Sequence, residues 1–440
     1  VVRFYAIMQT RLYPFALSPA VLLLLVCPAA HAQSLQLTPG SVLIDQTTSI
    51  RAAGLAPGTT VTISADQVDG RDQPWAASAD FQADAQGNVD VSSQAPVRGS
   101  YRGVSAMGLI WSMRPTAKDV HFYAPPKNLQ PEVIHLHLLQ DGKPVANAVL
   151  VQNFVADGVR QVHLEGVLHG TLFLPPDADR HPGVLVVGGS EGGAPMARAA
   201  WLASHGYAAL ALAYFRYEGL PGELRNIPLE YFGEALSWMA SRPEIDGSRL
   251  AVMGTSRGGE LALQLGSMYP EIHAVVAYVP ANVRVSSCCG RPFGAAWTWH
   301  GMPLAWSMPG SHNDPAGMVR AAISVETIHG PVLMIGAEND GVWPSSEMVR
   351  AAADRLHGAH FPWPVVTLIY PHAGHRAGMP EIVPAWSNGV LHPMTGRVTD
   401  LGGTPEGNAA STLDAIPKVL DFLRASLAPT AGQPVAAAAR

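Results

Sequence analysis

The residues that point most clearly to chemistry form the run Gly254-Thr255-Ser256-Arg257-Gly258. This G-x-S-x-G pattern follows an apolar run and precedes a segment with helical spacing, which is the strand–turn–helix context that the motif requires. The glycines permit a tight turn that exposes the serine hydroxyl at the edge of a sheet. Because a serine is a poor nucleophile until a base takes its proton, the pattern predicts catalysis by Ser256 with a histidine and an acid. The alternative is a glycine-rich turn without chemistry.

Two later segments supply the acid and the base. In this architecture the chain order is serine, acid, histidine. One apolar run ends just before Glu338 and Asp340, and the next apolar run ends just before His372 and His375. Both pairs would therefore lie at the carboxyl edge of a parallel sheet, beside the serine. We predict Asp340 as the acid and His375 as the base, with Glu338 and His372 as the alternatives.

An oxyanion formed at the substrate carbonyl needs two backbone N–H donors. The first is predicted to be the N–H of Arg257, the residue after the nucleophile. The second is expected from the glycine-rich loop 188–193, which follows the first buried strand and matches no phosphate-binding motif. We predict Ser190 as this donor, with Gly189 as the alternative.

The segment between positions 280 and 321 is rich in large apolar residues, glycine and proline. Its tryptophans, Trp297, Trp299 and Trp306, are candidates for an apolar substrate pocket above the serine. An equally acceptable interpretation is a packed loop with no contact to substrate.

No metal or cofactor is expected from the sequence. It contains no H-E-x-x-H pattern, and three cysteines are too few for a cysteine-rich zinc site. His135 and His137 alternate on a predicted strand, and a solvated strand face is the favoured interpretation over a metal site. The adjacent Cys288 and Cys289 could close a disulfide ring, but two small loop residues are the favoured interpretation.

The pattern of strands and helices changes near position 156. Residues 33–155 contain short alternating runs separated by Gly, Pro and Asp turns, which predicts a β-sandwich. Residues 156–428 alternate apolar strands with helical segments, which predicts a parallel sheet covered by helices and ending in a helix over Asp414–Ser426. Residues 429–440 are predicted to be a flexible tail.

Composition excludes several classes of protein. The chain has 440 residues, 48% of them apolar and 14% charged, so it can form a substantial core. With 28 basic and 34 acidic residues the formal net charge is −6, and no nucleic-acid-binding motif is present. No nucleic-acid partner is therefore expected.

The N-terminus has the pattern of an export signal. Arg3 and Arg11 precede the apolar run Phe15–Val26, and Ala30-His31-Ala32 fits a small-x-small cleavage site. We expect residues 1–32 to be removed near Ala32, which gives a periplasmic or secreted protein without a membrane span. An uncleaved anchor helix is the alternative.

Longer runs extend the comparison from the motif to most of the chain, from about Leu37 to Leu427. The chain resembles the acyl-CoA thioesterase / bile acid-CoA:amino acid N-acyltransferase family. The resemblance rests on runs in the same order, of which the longest cover 99–113, 170–176, 210–215, 343–345 and 402–405.

The resemblance implies an immunoglobulin-like β-sandwich followed by an α/β-hydrolase domain. It also implies a nucleophile–Asp–His triad at Ser256, Asp340 and His375, and a small acyl thioester or ester as substrate. The family's amino-acid-conjugating member uses cysteine as nucleophile, so serine at position 256 favours hydrolysis. Export makes acyl-CoA an unexpected substrate, which leaves a carboxylesterase, an N-acyltransferase and a non-enzymatic binding protein as alternatives. The oligomeric state is not predicted.

Overall fold

Two β-sheets are formed between Ser34 and Asn153 in the computed structural model, which describes residues 1–2, 32–308, 314–387, 389–392 and 395–429. Within these residues the smaller sheet has the strand order β1-β3-β6. The larger sheet has the order β2-β10-β9-β4-β5-β7, with β8 paired to β5. The strands are β1 (Ser34–Thr38), β2 (Ser41–Leu43), β3 (Ser49–Ala53), β4 (Thr60–Val68), β5 (Pro74–Gln82), β6 (Val89–Asp90), β7 (Arg98–Gly99), β8 (Arg114–Pro115), β9 (Glu132–Gln140) and β10 (Lys143–Asn153).

Period-two alternation explains how these strands form a core. In β4 the side chains of Val61, Ile63 and Ala65 are buried while their neighbours are partly exposed. Successive side chains of a strand point to opposite faces, so such a pattern buries one face and hydrates the other. The buried set also contains Trp75 and Phe81 of β5. A short helix, α1 (Gly108–Trp111), and a 3-10 turn, Lys127–Leu129, lie between β7 and β9.

The second half of the chain is built on one large sheet. Its strand order is β11-β12-β14-β13-β16-β17-β20-β21, and all pairs from β14 to β21 are parallel. The strands are β11 (Arg160–His163), β12 (His169–Leu174), β13 (His181–Val187), β14 (Ala208–Ala213), β15 (Ile227–Pro228), β16 (Ile245–Thr255), β17 (Ile272–Tyr278), β18 (Trp297–Trp299), β19 (Met302–Pro303), β20 (Val332–Ala337), β21 (Val365–Tyr370), β22 (Val390–Leu391) and β23 (Val398–Thr399).

Helices cover both faces of this sheet, which is why its central strands are apolar throughout. The helices are α2 (Met196–Ser204), α3 (Glu230–Ser241), α4 (Arg257–Met268), α5 (Pro315–Ala321), α6 (Ser345–Gly358) and α7 (Pro405–Ser426), with a 3-10 turn at Val325–Thr327. Helices α2 and α7 pack on one face, and α3, α4 and α6 pack on the other. The carboxyl ends of β13, β16, β20 and β21 therefore meet at one edge.

The predicted architecture, a β-sandwich followed by an α/β-hydrolase domain, is confirmed. The described residues from Gln33 onward form one compact unit, in which Asp45 of the sandwich accepts hydrogen bonds from Trp201 and His205 of the second half. The predicted boundary at 155–156 lies between β10 and β11 and stays a prediction.

Two predicted terminal features lie largely outside the described residues. Residues 3–31, which hold most of the expected export signal, and residues 430–440 of the expected tail belong to this part of the chain. Within the described ranges, no helix is long and apolar enough to cross a bilayer.

Candidate active site

Ser256 occupies a sharp turn between β16 and α4. Its backbone has φ 57° and ψ −118°, a strained conformation for a residue with a side chain. The turn is possible because its glycines carry no Cβ. A Cβ on Gly254 would lie 1.9 Å from the Gly258 carbonyl oxygen, and a Cβ on Gly258 would lie 2.4 Å from the Gly188 carbonyl oxygen. Both glycines of the motif are thus required by close packing of backbone against backbone.

A continuous chain of hydrogen bonds joins the serine, the histidine and the acid. Ser256 Oγ lies 2.8 Å from His375 Nε2, and His375 Nδ1 lies 2.9 Å from both carboxylate oxygens of Asp340. The carboxylate of Asp340 is fully buried, and the His375 side chain is 10% exposed. With Nδ1–H donating to Asp340, Nε2 is left as the acceptor for the Ser256 hydroxyl, which is the tautomer needed for a general base.

The structure distinguishes the two predicted residues from their alternatives. Glu338 points away from this chain of hydrogen bonds and forms a half-exposed ion pair with Arg350 at 2.5 Å. His372 is exposed, and only its backbone carbonyl oxygen accepts a hydrogen bond, from Thr404. Asp340 and His375 are therefore the residues that the fold brings to Ser256.

Trp343 supports both Asp340 and His375. Its backbone N–H donates to Asp340 Oδ1 at 3.3 Å, and its ring meets the His375 ring edge-to-face at a centroid distance of 5.1 Å. The indole N–H donates to the Val279 carbonyl oxygen at 3.0 Å, which fixes the ring. The sequence analysis gave Trp343 no role. The only signal was an aromatic residue three positions after the acid.

Residues 401–404, here called the bridging segment, connect the acid loop to the histidine loop. The Leu401 carbonyl oxygen accepts hydrogen bonds from the N–H groups of His375 at 2.7 Å and Gly341 at 3.2 Å. Gly403 N–H donates to the Asn339 carbonyl oxygen at 3.0 Å. The bridging segment therefore sets the spacing between the loops that carry Asp340 and His375.

Arg257, a predicted oxyanion donor, is the first residue of α4. The N–H of a first helical residue has no partner within the helix, so it is available to a ligand. The side chain is buried, with Nε 2.7 Å from Glu260 Oε2, and its Nη atoms donate to the carbonyl oxygens of Val285 and Ser286. Burial raises the pKa of Glu260, and the positive charge of Arg257 opposes that rise.

The loop after β13 favours Ser190 over Gly189 as the second donor. Gly189 N–H already donates to Glu191 Oε1 at 3.0 Å, whereas the Ser190 N–H makes no hydrogen bond to any described residue. The Ser190 hydroxyl lies 3.0 Å from His392 Nε2. Burial lowers the pKa of His392, which the sequence analysis did not connect with the site. The oxyanion roles of Arg257 and Ser190 stay predictions.

The three tryptophans proposed for a substrate pocket have different surroundings. Trp297 is fully buried beneath α4, where its indole N–H donates to Glu260 Oε1 at 2.7 Å and its ring packs against Tyr214. Trp297 is therefore a core residue, which corrects its assignment to an open pocket. Trp299 is half-buried against Tyr269, and Trp306 is half-buried in the same segment. Their pocket role stays a prediction.

A cavity of about 550 Å³ lies where the sandwich meets the histidine side of the hydrolase half. Trp111 of α1 lines it together with Arg376, which directly follows His375, and Leu401 of the bridging segment. The remaining lining side chains are largely apolar and include Met379, Ile382, Val383 and Leu413. Ser256, His375 and Asp340 are not among the residues that line it.

The cysteine pair differs from its favoured interpretation. A disulfide joins Cys288 to Cys289, so they are not two independent loop residues. The sulfur atoms and a nitrogen of His392 all lie within 4.8 Å of one another. His137, on the solvated face of β9, lies 3.0 Å from Asp66 and 2.7 Å from Asn147.

A serine on a strand–helix turn, linked to a histidine and an acid at later strand ends of a parallel sheet, defines an α/β-hydrolase. Two family models match this chain. Residues 45–166 match the acyl-CoA thioester hydrolase/BAAT N-terminal region, and residues 227–289 and 312–429 match the BAAT / acyl-CoA thioester hydrolase C terminal.

Curated relatives are similar over nearly their whole length. Acyl-coenzyme A thioesterase 6 of Mus musculus is 31% identical over 86% of this chain and 93% of its own. The peroxisomal succinyl-coenzyme A thioesterase of Mus musculus is 30% identical over 88% of this chain and 94% of its own. Acyl-coenzyme A thioesterase 6 of Homo sapiens is 30% identical over 90% and 97%. The chain belongs to the acyl-CoA thioester hydrolase/BAAT family, which confirms the resemblance found in the sequence.

Proposed function

We propose that the protein hydrolyses acyl-CoA thioesters through an acyl-enzyme formed on Ser256. The observation that carries this proposal is the hydrogen-bonded chain from Ser256 Oγ through His375 to Asp340, at 2.8 and 2.9 Å. The thioester substrate is supported by family membership and by relatives named acyl-coenzyme A thioesterases.

In the acylation step, Ser256 Oγ attacks the thioester carbonyl carbon while its proton passes to His375 Nε2. The buried Asp340 carboxylate stabilises the imidazolium that forms. The N–H groups of Arg257 and Ser190 are placed to donate to the oxyanion of the tetrahedral intermediate. Collapse of that intermediate breaks the carbon–sulfur bond, and His375 returns its proton to the departing CoA thiolate.

Deacylation repeats the same proton transfers with water as the nucleophile. His375 Nε2 takes a proton from water, the resulting hydroxide attacks the ester carbonyl, and the proton returns to Ser256 as the acid leaves. Every step uses groups of the chain itself. An oxygen ester on serine is readily hydrolysed, whereas a thioester on cysteine is better suited to attack by an amine. Serine at position 256 therefore favours hydrolysis over amino-acid conjugation.

The candidate export signal favours a second function for the same site. The apolar run Phe15–Val26 with a cleavage pattern at Ala32 supports export to the periplasm or the medium. Free acyl-CoA is not expected there, so the alternative substrate is an acyl ester without CoA. Both functions share the acyl-enzyme on Ser256 and differ only in the leaving group.

The acyl-enzyme itself can be trapped. Wild-type protein mixed with an acyl-CoA and quenched in acid should show one added acyl group by mass spectrometry, on the peptide that contains Ser256. Ser256→Ala should show none, while Ser248→Ala, which changes an exposed serine, should behave as the wild type. An acyl group that persists in Ser256→Ala would contradict the proposal.

A further inference from the structure

Three side chains with metal-binding atoms meet beside the loop that carries Ser190. The Sγ atoms of Cys288 and Cys289 and a ring nitrogen of His392 lie within 4.8 Å of one another, and all three residues are half-buried. His392 Nε2 lies 3.7 Å from Cys289 Sγ and 3.0 Å from Ser190 Oγ. The same nitrogen thus faces both the cysteine pair and the loop proposed to bind the oxyanion.

We propose that, when the disulfide is reduced, Cys288, Cys289 and His392 bind a thiophilic divalent cation of the Zn²⁺ type. Thiolate and imidazole are the ligands that Zn²⁺ prefers. Zn–S bonds of about 2.3 Å and a Zn–N bond of about 2.0 Å place sulfur and nitrogen about 3.6 Å apart in a tetrahedral site. The 3.7 Å between Cys289 Sγ and His392 Nε2 matches that edge.

The two sulfurs must separate before the ion can bind. On a tetrahedral Zn²⁺ they would lie about 3.8 Å apart, so the sulfur–sulfur bond has to be broken first. A dithiol or phosphine reductant supplies the two electrons and is itself oxidised, and two protons from water complete the two thiols. Metal binding then releases both thiol protons to the solvent and uses the lone pair of the neutral imidazole. A water molecule can complete the coordination, since the three ligands are only half-buried.

Metal binding would remove the partner of Ser190. When Nε2 donates its lone pair to the ion, it no longer accepts a hydrogen bond from the Ser190 hydroxyl. The loop that holds the predicted oxyanion donor then loses its link to His392. This consequence rests on the proposed hydrolase function, whereas metal binding does not. The site would make hydrolysis sensitive to both the redox state of Cys288–Cys289 and the supply of free metal.

Cobalt spectroscopy tests the site without reference to activity. Protein reduced with a water-soluble phosphine is titrated with Co²⁺, which should give a thiolate-to-cobalt charge-transfer band that saturates at one equivalent. Zn²⁺ should displace the Co²⁺, because it binds such sites more tightly. Cys289→Ser should weaken the band strongly, and His392→Ala should lower the affinity at least about tenfold. His372→Ala, which changes an exposed histidine, is the matched control.

Two spectroscopic results would overturn the proposal. One is the absence of a charge-transfer band in the reduced wild-type protein. The other is an unchanged band and affinity in His392→Ala, which would show that the histidine is not a ligand. Should Cys289→Ser fail to fold, Cys288→Ser gives the same comparison from the other side of the pair.

The inhibitory consequence needs a second measurement on the same samples. Zn²⁺ should lower kcat/KM of the reduced wild-type protein about tenfold, which is less than the roughly 10² to 10³ lost with a whole oxyanion donor. Each variant is compared with itself in the presence and absence of Zn²⁺. Equal inhibition in Cys289→Ser would contradict the inhibitory role. A preparation without hydrolase activity would fail the proposed function, but the cobalt band would still decide the site.

Discussion

Replacement of Gly402 by alanine should separate the geometry of the active site from the presence of its residues. Gly402 lies in the bridging segment with φ 72°, and a Cβ at this position would lie 1.9 Å from the Asn339 carbonyl oxygen. Real Cβ contacts essentially never fall below 3.0 Å, so the two backbones must move apart by about 1 Å. Because Asn339 directly precedes Asp340, the movement falls on the acid loop.

The expected loss follows from that displacement. A misplacement of about 1 Å in a catalytic group can lower the rate about 10²-fold. At 1.36 kcal/mol per factor of ten, this corresponds to about 2.7 kcal/mol of lost transition-state stabilisation. Gly396→Ala is the matched control, since Gly396 also has a positive φ, 63°, but a Cβ there meets no atom within 4 Å. Both variants share a conformational penalty of about 1–2 kcal/mol, so their difference isolates the collision.

The assay is steady-state hydrolysis of a long-chain acyl-CoA, with thermal unfolding of the same samples. Gly402→Ala should remain folded at the assay temperature and show a kcat/KM about 10²-fold below wild type. Gly396→Ala should keep its activity. The reasoning would be refuted by a Gly402→Ala variant with wild-type activity, or by an equal loss of activity in both variants.

Three further predictions concern other parts of the molecule. Asp340→Asn should lower kcat about 10⁴-fold, because the imidazole loses its correct tautomer, whereas Glu338→Gln should leave kcat nearly unchanged. Burial raises the pKa of Glu132 to about 8 from a model value of 4.5. Its stabilising contribution is therefore full below pH 4.5 and is lost as the pH rises through 8, so Glu132→Gln should flatten this dependence in urea unfolding. N-terminal sequencing of exported protein should begin at Gln33, and an intact N-terminus would contradict export.

Much of the fold could be predicted because its signals are local. The strand β14, Ala208–Ala213, matches its apolar run residue for residue, since a strand buried on both faces needs apolar side chains throughout. Ser256 was found from a motif whose two glycines are required by backbone contacts within the same turn. The helix expected over Asp414–Ser426 begins instead at Pro405. Thr404 caps it through a hydrogen bond from Gly407 N–H, a signal that the glycine- and asparagine-rich first turns concealed.

The remaining features depend on contacts between distant parts of the chain. His392 reaches Ser190 across 202 positions, and nothing near either residue indicates the pairing. Trp297 was assigned to a pocket because it lies in an aromatic-rich segment, but its hydrogen bond to the buried Glu260 places it in the core. The bridging segment contacts the acid and histidine loops only through backbone atoms, which no side-chain pattern can reveal.

The most direct test of the central claim compares leaving groups on one acyl chain. Mature protein starting at Gln33 is assayed for kcat/KM on an acyl-CoA and on the matching simple ester, with Ser256→Ala as the blank. The account predicts that the CoA thioester is preferred about 100-fold or more, equivalent to about 2.7 kcal/mol of transition-state binding from the CoA portion. Equal or faster hydrolysis of the ester would contradict thioesterase specificity, and activity that survives in Ser256→Ala would contradict the acyl-enzyme.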